Sequence, residues 1–396
     1  MIKQTIAVLL LSLRSIPSRI APSFIIVVGI GGVVAVLMAL MSLAQGFQAT
    51  LAGTGANDRA LILRSGSTSE INGTMPIEHY EIIRDFPGVA TLHNEKLAAM
   101  ETFVTVNMRQ RSTPIDASIP MRGITAESFL VRPEVKIVAG RAIEFGKFEL
   151  IAGTSAANQF EGIDLNSMIK IRGVDWLVVG YFSASGGAYD SEIWVDHKLL
   201  AASWHRGTMF SSMRVQLDNA AQFSAFKELV STDKRLTAQA VRESDFYADQ
   251  SKNTTNLITG VGILVGTIMA IGAVFAALNS MYTSLSSRTV EIATLRALGF
   301  HRLPLLISVL IESALVGSMG ALLGGLLVYF TLNNVSVSTV AATSATFTQV
   351  AFKFMVTPDL LLKGIVLAIL LALIGGFFPA LGAVRKQIVD GLRYHG

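Results

Sequence analysis

Four long apolar stretches constrain this chain more than any other feature. Residues 22–44 carry no charge, 253–287 are charge-free with their most apolar part at 257–278, 303–332 are interrupted only by Glu312, and 364–384 complete the set. A helix of the first length extends about 34 Å at roughly 1.5 Å per residue, enough to cross a bilayer. In lipid the backbone has no water to bond, so runs of this length satisfy their N–H and C=O groups as helices. The sequence therefore predicts a polytopic α-helical membrane protein with four transmembrane helices.

The charges divide accordingly. Residues 45–252 hold 21 Lys or Arg and 24 Asp or Glu, whereas the rest of the chain holds 11 and 4. The basic surplus thus lies beside the apolar runs, where membrane topology accounts for it, and no nucleic-acid partner is expected. With no cysteine in the chain, disulfides, thiolate metal sites and a cysteine nucleophile are excluded.

The first run competes with a secretory signal, since Lys3, Arg14 and Arg19 precede it and Ser42-Leu43-Ala44 resembles a cleavage site. It exceeds the roughly 7–15 apolar residues of such a signal, so an uncleaved anchor is expected. Basic groups at Lys3, Arg14 and Arg19, at Arg288, Arg296 and Arg302, and at Arg385, Lys386 and Arg393 all fall on one side of four spans. That side is cytoplasmic by the positive-inside rule, placing both termini in the cytoplasm; Lys252, Lys353 and Lys363 dissent mildly.

The expected organisation is 1–44, N-terminal segment and first span; 45–252, an extracytoplasmic α+β domain; 253–287, second span; and 288–302, a cytoplasmic helix. It continues with 303–332, third span; 333–363, an extracytoplasmic loop; 364–384, fourth span; and 385–396, a cytoplasmic tail. Within the large domain, Pro76 opens a helix over 76–85 that Pro87-Gly88 ends. Asn219 and Gln222 form a capping box for a helix over 220–231, with Phe223, Phe226 and Val230 on one face. Strands are expected at 60–64, 168–172, 176–182 and 192–196. Residues 65–73 and 183–189 read as polar, glycine-rich loops, either of which could meet a ligand or partner.

Catalytic chemistry is hard to find. None of the six histidines is paired at metal-ligand helical spacing, no Gly-x-Ser-x-Gly elbow occurs, and no Gly-x-x-x-x-Gly-Lys-Ser/Thr string could cradle a nucleotide phosphate. No catalytic, cofactor or metal residue is therefore nominated. Glu312 is the one ionisable residue inside a span, a position that must be paired or hydrated. A structural contact near the cytoplasmic end is the simpler expectation, with proton coupling the alternative. Gly262 and Gly266, and Gly320 and Gly324, lie one turn apart and permit close helix packing; Gly29, Gly31 and Gly32 mark a small-residue face that could serve a dimer.

Between spans two and three, the segment RTVEIATLRALG from Arg288 to Gly299 reads as a short helix ended by Gly299. Val290, Ala293 and Ala297 share one side, opposite Arg288, Glu291 and Arg302, while Leu295 and Leu298 blur the division.

The string NSMYTSLSSRTVEIATLRALGFH at 279–301, followed by IESA at 311–314 and FPALGAVR at 378–385, resembles permeases of the MacB/FtsX-like class of ATP-binding-cassette transporters. That class includes macrolide-exporter, lipoprotein-release and DevC-like permeases, and LRS at 13–15 through Gly29 also looks like its start. The resemblance covers almost the whole chain. It implies that Arg288, Glu291, Leu295, Arg296, Leu298 and Gly299 belong to a coupling helix contacting an ABC ATPase, and that Glu312 fills a common Glu/Gln-like position. It implies a second permease copy or paralogue, and in part of the class a periplasmic adaptor and an outer-membrane channel. No nucleotide-binding sequence accompanies this chain, so the ATPase is expected on a separate polypeptide, with ATP and Mg bound there and none here. The expected function is an export or extraction permease of a bacterial inner membrane. The alternative is a mechanotransmission regulator of an extracytoplasmic partner.

Overall fold

The computed structural model describes residues 20–111, 116–338 and 350–385. Lys3, Arg14, Lys386, Arg393 and the family-like start at 13–15 lie outside them, and Arg19 does also. The chain separates into two compact units, 1–45 with 255–335 and 354–396, and 46–254 with 336–353.

Among the described residues, four helices are long and apolar enough to cross a membrane: α1 (Ile20–Ala52), α7 (Glu243–Ser286), α9 (Arg302–Leu332) and α10 (Pro358–Arg385). Three of them outrun the expected spans. α7 begins ten residues before residue 253, because the polar stretch that follows Glu243 contains neither proline nor glycine and continues the helix. α1 persists to Ala52, and α10 starts at Pro358, a residue suited to a first helical turn. The 333–363 segment holds a hairpin, β13 (Ser336–Ser338) with β14 (Ala351–Lys353), which belongs to the second unit.

In the helical unit, glycines allow the close approaches. A Cβ added to Gly320 would lie 2.8 Å from the Val27 carbonyl oxygen, and one at Gly324 would overlap that of Gly31. Gly262 faces Leu40 and Met41, and Gly266 faces Leu37, so both expected pairs meet α1 within this chain. Gly29 and Gly32 have open space beside them, while Gly31 is the small residue that α9 covers. α10 seats Gly375 on Ala277 of α7 and Gly376 on Ser313 of α9. The core between them includes Ile30, Val34, Met38, Val316, Ala368 and Ala372.

The second unit is built on a sheet of ten strands: β1 (Arg59–Arg64), β4 (Ala98–Arg109), β5 (Asp116–Ile124), β6 (Lys136–Gly140), β7 (Glu149–Gly153), β8 (Met168–Ile171), β9 (Val174–Ser183), β10 (Ile193–Asp196), β11 (Ser212–Gln216) and β12 (Ala238–Arg242). Their order is β12-β1-β11-β4-β5-β10-β7-β9-β6, with β8 also on β9. β2 (Thr91–Leu92) and β3 (Glu95–Lys96) form a separate hairpin, and α2 (Ile77–Arg84), α3 (Glu127–Val131), α4 (Thr154–Gln159), α5 (His197–Ser203) and α6 (Phe223–Thr232) are the shorter helices of the unit. β4 joins two lobes. Its first residues, Ala98 to Glu101, pair with β11, whereas Thr102 to Arg109 pair with β5. One core, with Ile62, Phe210, Met213 and Phe226, lies in the first lobe, and another, with Ile119, Leu150, Trp176 and Val178, lies in the second.

The expected strands are present within two residues at each end, and Pro76 caps a helix at Ile77–Arg84. The capping box is only half formed: Asn219 accepts from the Ala221 N–H, but Gln222 returns no bond, and a 3-10 turn at Ala220–Gln222 precedes the α-helix Phe223–Thr232.

Candidate functional site

Ser287 interrupts the chain after α7, and α8 (Thr289–Ala297) follows. Gly299, at φ +93°, ends it. The N–H of Phe300 bonds the carbonyl of Leu295 and that of Gly299 the carbonyl of Arg296, a Schellman closure that satisfies two orphan acceptors.

The orientation of α8 differs from the amphipathic reading. Ile292 and Ala293 are buried, Ala297 is exposed and Val290 is half-buried. Arg288, placed by resemblance in the coupling segment, makes its contacts within the chain. Rather than facing outward for a partner, it is 8% exposed and donates from Nη1 to Glu312 at 3.1 Å and from Nε to Glu291 at 3.3 Å. A charge in the sequence reads as solvent-facing, but a buried carboxylate on α9 gives this one an intrachain counter-charge. Glu291 remains exposed, Leu298 is 72% exposed, and Leu295 and Arg296 are half-buried. The outward surface therefore combines Glu291, Thr294, Ala297, Leu298 and Gly299.

A second constellation, in the other unit, escaped the sequence reading. Arg59, Arg122, Arg132 and Arg214 are buried with Glu70, Glu101, Glu192 and Glu243. Arg122 grips Glu192 with Nε and Nη2 at 2.7 and 2.6 Å, while its Nη1 reaches Glu101 at 2.7 Å and Glu70 at 2.9 Å. Arg214 bonds Glu70 at 2.8 Å and Glu243 at 2.8 Å, and Arg132 donates to Glu101 at 2.8 Å. Glu243, the first residue of α7, also accepts from Arg59 at 2.9 Å and from the Tyr189 hydroxyl at 2.7 Å. The start of that helix is thus tied to β1 and β11 by ions rather than by apolar packing alone.

Burial alone would push these carboxyl groups upward in pKa. For Glu101 the guanidinium groups of Arg132, Arg214 and Arg122 outweigh it and hold the group at about 2. Glu70 is likewise held well below the usual range by Arg122 and Arg214 against the same burial. Against the same burial, the pKa of Glu243 is lowered by Arg59 and Arg214, so Glu70, Glu101 and Glu243 are charged at neutral pH. No single string could reveal this cluster, since its members are spread from Arg59 to Glu243. The available signal was a charge flanked by apolar residues within a strand, as with Glu101 after Ala98, Ala99 and Met100 in β4 and Arg122 after Ile119, Pro120 and Met121 in β5.

Residues 23–232 match the MacB-like periplasmic core domain, and residues 263–388 match the FtsX-like permease C-terminal domain. The chain is 23% identical over 386 residues to the ABC transporter permease YknZ of Bacillus subtilis, covering 93% of both chains. It is 24% identical over 402 residues to the macrolide export ATP-binding/permease protein MacB of Bdellovibrio bacteriovorus, covering 93% of this chain but 58% of that one. The extracellular domain of YknZ from Gram-positive bacteria aligns with 46% of this chain and 99% of that domain, at 17% identity and a TM-score of 0.35. With the periplasmic core and permease domains both present, in the order that places four apolar helices around an α+β insertion, the chain belongs to the ABC transporter permeases of the MacB and FtsX type.

Proposed function

We propose that this chain is the membrane subunit of an ATP-driven export or extraction complex, and that α8 receives the push of a separate ABC ATPase. The observation that carries this reading is the division of labour on α8. Arg288 and Ile292 fix the helix to its own chain, while Glu291 and Leu298 stay exposed beside the Gly299 stop. An exposed leucine at a rigid helix end suits insertion into a partner groove, and the neighbouring carboxylate supplies polar register.

In this reading the 288–302 segment and both termini are cytoplasmic, the membrane is a bacterial inner membrane, and the 45–252 block lies across it. A second permease copy or paralogue completes the membrane part, ATP and Mg bind the ATPase, and an adaptor with an outer-membrane channel extends the route. ATP-driven closure of the ATPase pair would displace α8, and the unbroken helix α7 would carry the movement to its first residue, Glu243. That continuity equally favours the regulatory version, in which the extracytoplasmic domain acts on a partner without passing substrate.

Affinity purification of the tagged chain in mild detergent tests the assignment. Glu291→Lys and Leu298→Asp should each reduce the co-purified ATPase at least about tenfold, with normal membrane insertion. Undiminished recovery in both variants rejects α8 as the docking element. Cysteine-labelling of positions 291 and 175 on the same side of the membrane rejects the topology.

A further inference from the structure

The chain passes between the two units within α1, within α7 and at both stems of the β13–β14 hairpin. Inside the second unit, all three of these segments bond one short piece of chain, the 3-10 turn Ala188–Ser191. The Ala188 N–H donates at 2.7 Å to the hydroxyl of Thr54, two residues beyond the end of α1. The Tyr189 hydroxyl donates at 2.7 Å to Glu243, the first residue of α7. Ser191 Oγ accepts from the Ala351 N–H of β14 at 2.8 Å. Residues 183–189 read from the sequence as a polar loop open to a ligand or partner, yet Ala188, Tyr189, Asp190 and Ser191 are all buried, and the protein's own segments occupy their groups.

We propose that this turn is a mechanical junction, at which displacement of α1, α7 or the hairpin is passed to the other two. A junction has to be stiff. The Asp190 carboxylate accepts from the Ala184 and Gly186 N–H groups, and the Glu192 N–H bonds the Tyr189 carbonyl, so the turn is closed on both sides. It also has to be seated. Gly153, at the end of β7, donates its N–H to the Glu192 carbonyl at 2.9 Å, and a Cβ at Gly153 would overlap the Asp190 carbonyl oxygen, so the turn rests directly on strand backbone. Glu192 itself is gripped by Arg122 of β5.

The three bonds are buried, so breaking any one leaves a polar group with no water to replace its partner. The segments are joined to one another as well. The Thr54 hydroxyl donates to the Thr50 carbonyl in the last turn of α1 at 2.8 Å, the Ala56 N–H donates to Glu243 at 3.2 Å, and the rings of Phe47 and Phe352 meet edge to face at 5.3 Å. Movement of one segment therefore carries the turn with it or breaks a buried bond. The coupling belongs to this chain alone and needs no ATPase; its use in relaying a push rests on the role proposed for α8.

Hydrogen exchange read by mass spectrometry, on the full chain in lipid nanodiscs, separates a junction from three independent anchors. Ser191→Ala removes the acceptor of the Ala351 N–H. Exchange should quicken at least about threefold at 350–353 and also at 50–54 and 246–250, whose own bonds to the turn are intact, while 104–108 in β4 keeps the parent rate. Tyr189→Phe deletes one hydroxyl and keeps the ring; it should quicken 246–250 and, to a similar extent, 350–353. If Ser191→Ala fails to fold, Thr54→Val, close to threonine in shape, takes its place, with 50–54 as the local segment and the other two as the remote ones. The proposal is overturned if the change is confined to the segment that lost its bond, which makes each contact a separate anchor. It is equally overturned if 104–108 quickens as much, which makes the effect a general loss of stability. Either result leaves the docking assignment of α8 standing, because co-purification reads that separately.

Discussion

Arg288 Nη1 donates to the Glu312 carboxylate at 3.1 Å, joining the residue before α8 to α9 through a pair in which both side chains are about nine-tenths buried. In an apolar helical unit Glu312 without Arg288 would be a buried charge lacking its partner, whereas Arg288 without Glu312 would keep Glu291. Arg288→Met should therefore destabilise by about 3–5 kcal/mol and Glu312→Leu by less, while the double variant loses less than the sum. Unfolding midpoints in detergent measure this as a double-mutant cycle. Additive losses would show that the two groups are not coupled.

The packing of α9 on α1 depends on missing side chains. Gly320→Ala and Gly324→Ala each place a methyl group against an α1 carbonyl, and should cost about 1–3 kcal/mol through forced separation of the helices. Gly272→Ala, with open space around it, should stay within about 0.5 kcal/mol of the parent. Thermal midpoints of the three variants provide the comparison. Equal behaviour would mean the seam relaxes freely.

The spans were legible because lipid leaves few alternatives to a helix; their ends were not, because lipid says nothing about polar residues beyond it. Glu243 and Asp245 begin a helix that hydropathy starts ten residues later. Gly299 marks the end of α8 in the sequence, whereas the burial of Arg288 depends on Glu312, 24 positions away. β4 was missed for a related reason. Its burial does not alternate over Ala98 to Val104, since material covers both faces there, and the period of two that betrays a half-buried strand disappears. The ionic cluster required strand order, which no local pattern contains.

Glu101 is the counter-charge that Arg122, Arg132 and Arg214 share. Glu101→Gln keeps the shape but leaves those guanidinium groups short of one negative charge, at an expected cost of about 3–5 kcal/mol. Asp233→Asn weakens a pair whose Arg235 side chain is exposed and whose hydrogen bonds an amide can partly keep, so it should cost no more than about 1 kcal/mol. Urea unfolding followed by tryptophan fluorescence distinguishes them, since Trp194 packs beside Arg132 at 5.4 Å. An unaltered midpoint for Glu101→Gln would mean that the buried charges are redundant.

The same carboxylate sets an acid limit. Glu101 has a folded pKa of about 2 against a usual 4.5, so the folded state binds the proton more weakly than the unfolded one. Its contribution is complete above about 4.5 and is lost as the pH falls towards about 2. Glu70 adds a loss of the same sign. His79 and His197, held below 6.5 by burial, begin a shallower loss at higher pH, so the parent curve alone cannot isolate Glu101. Its difference from Glu101→Gln can. That difference in urea midpoint should drift slightly through the His197 titration, because the Glu101 charge also acts on that imidazole, and should shrink steadily between about pH 4.5 and 3. A gap that persists undiminished at pH 3 would place the stabilisation in the shape of the residue rather than in its charge.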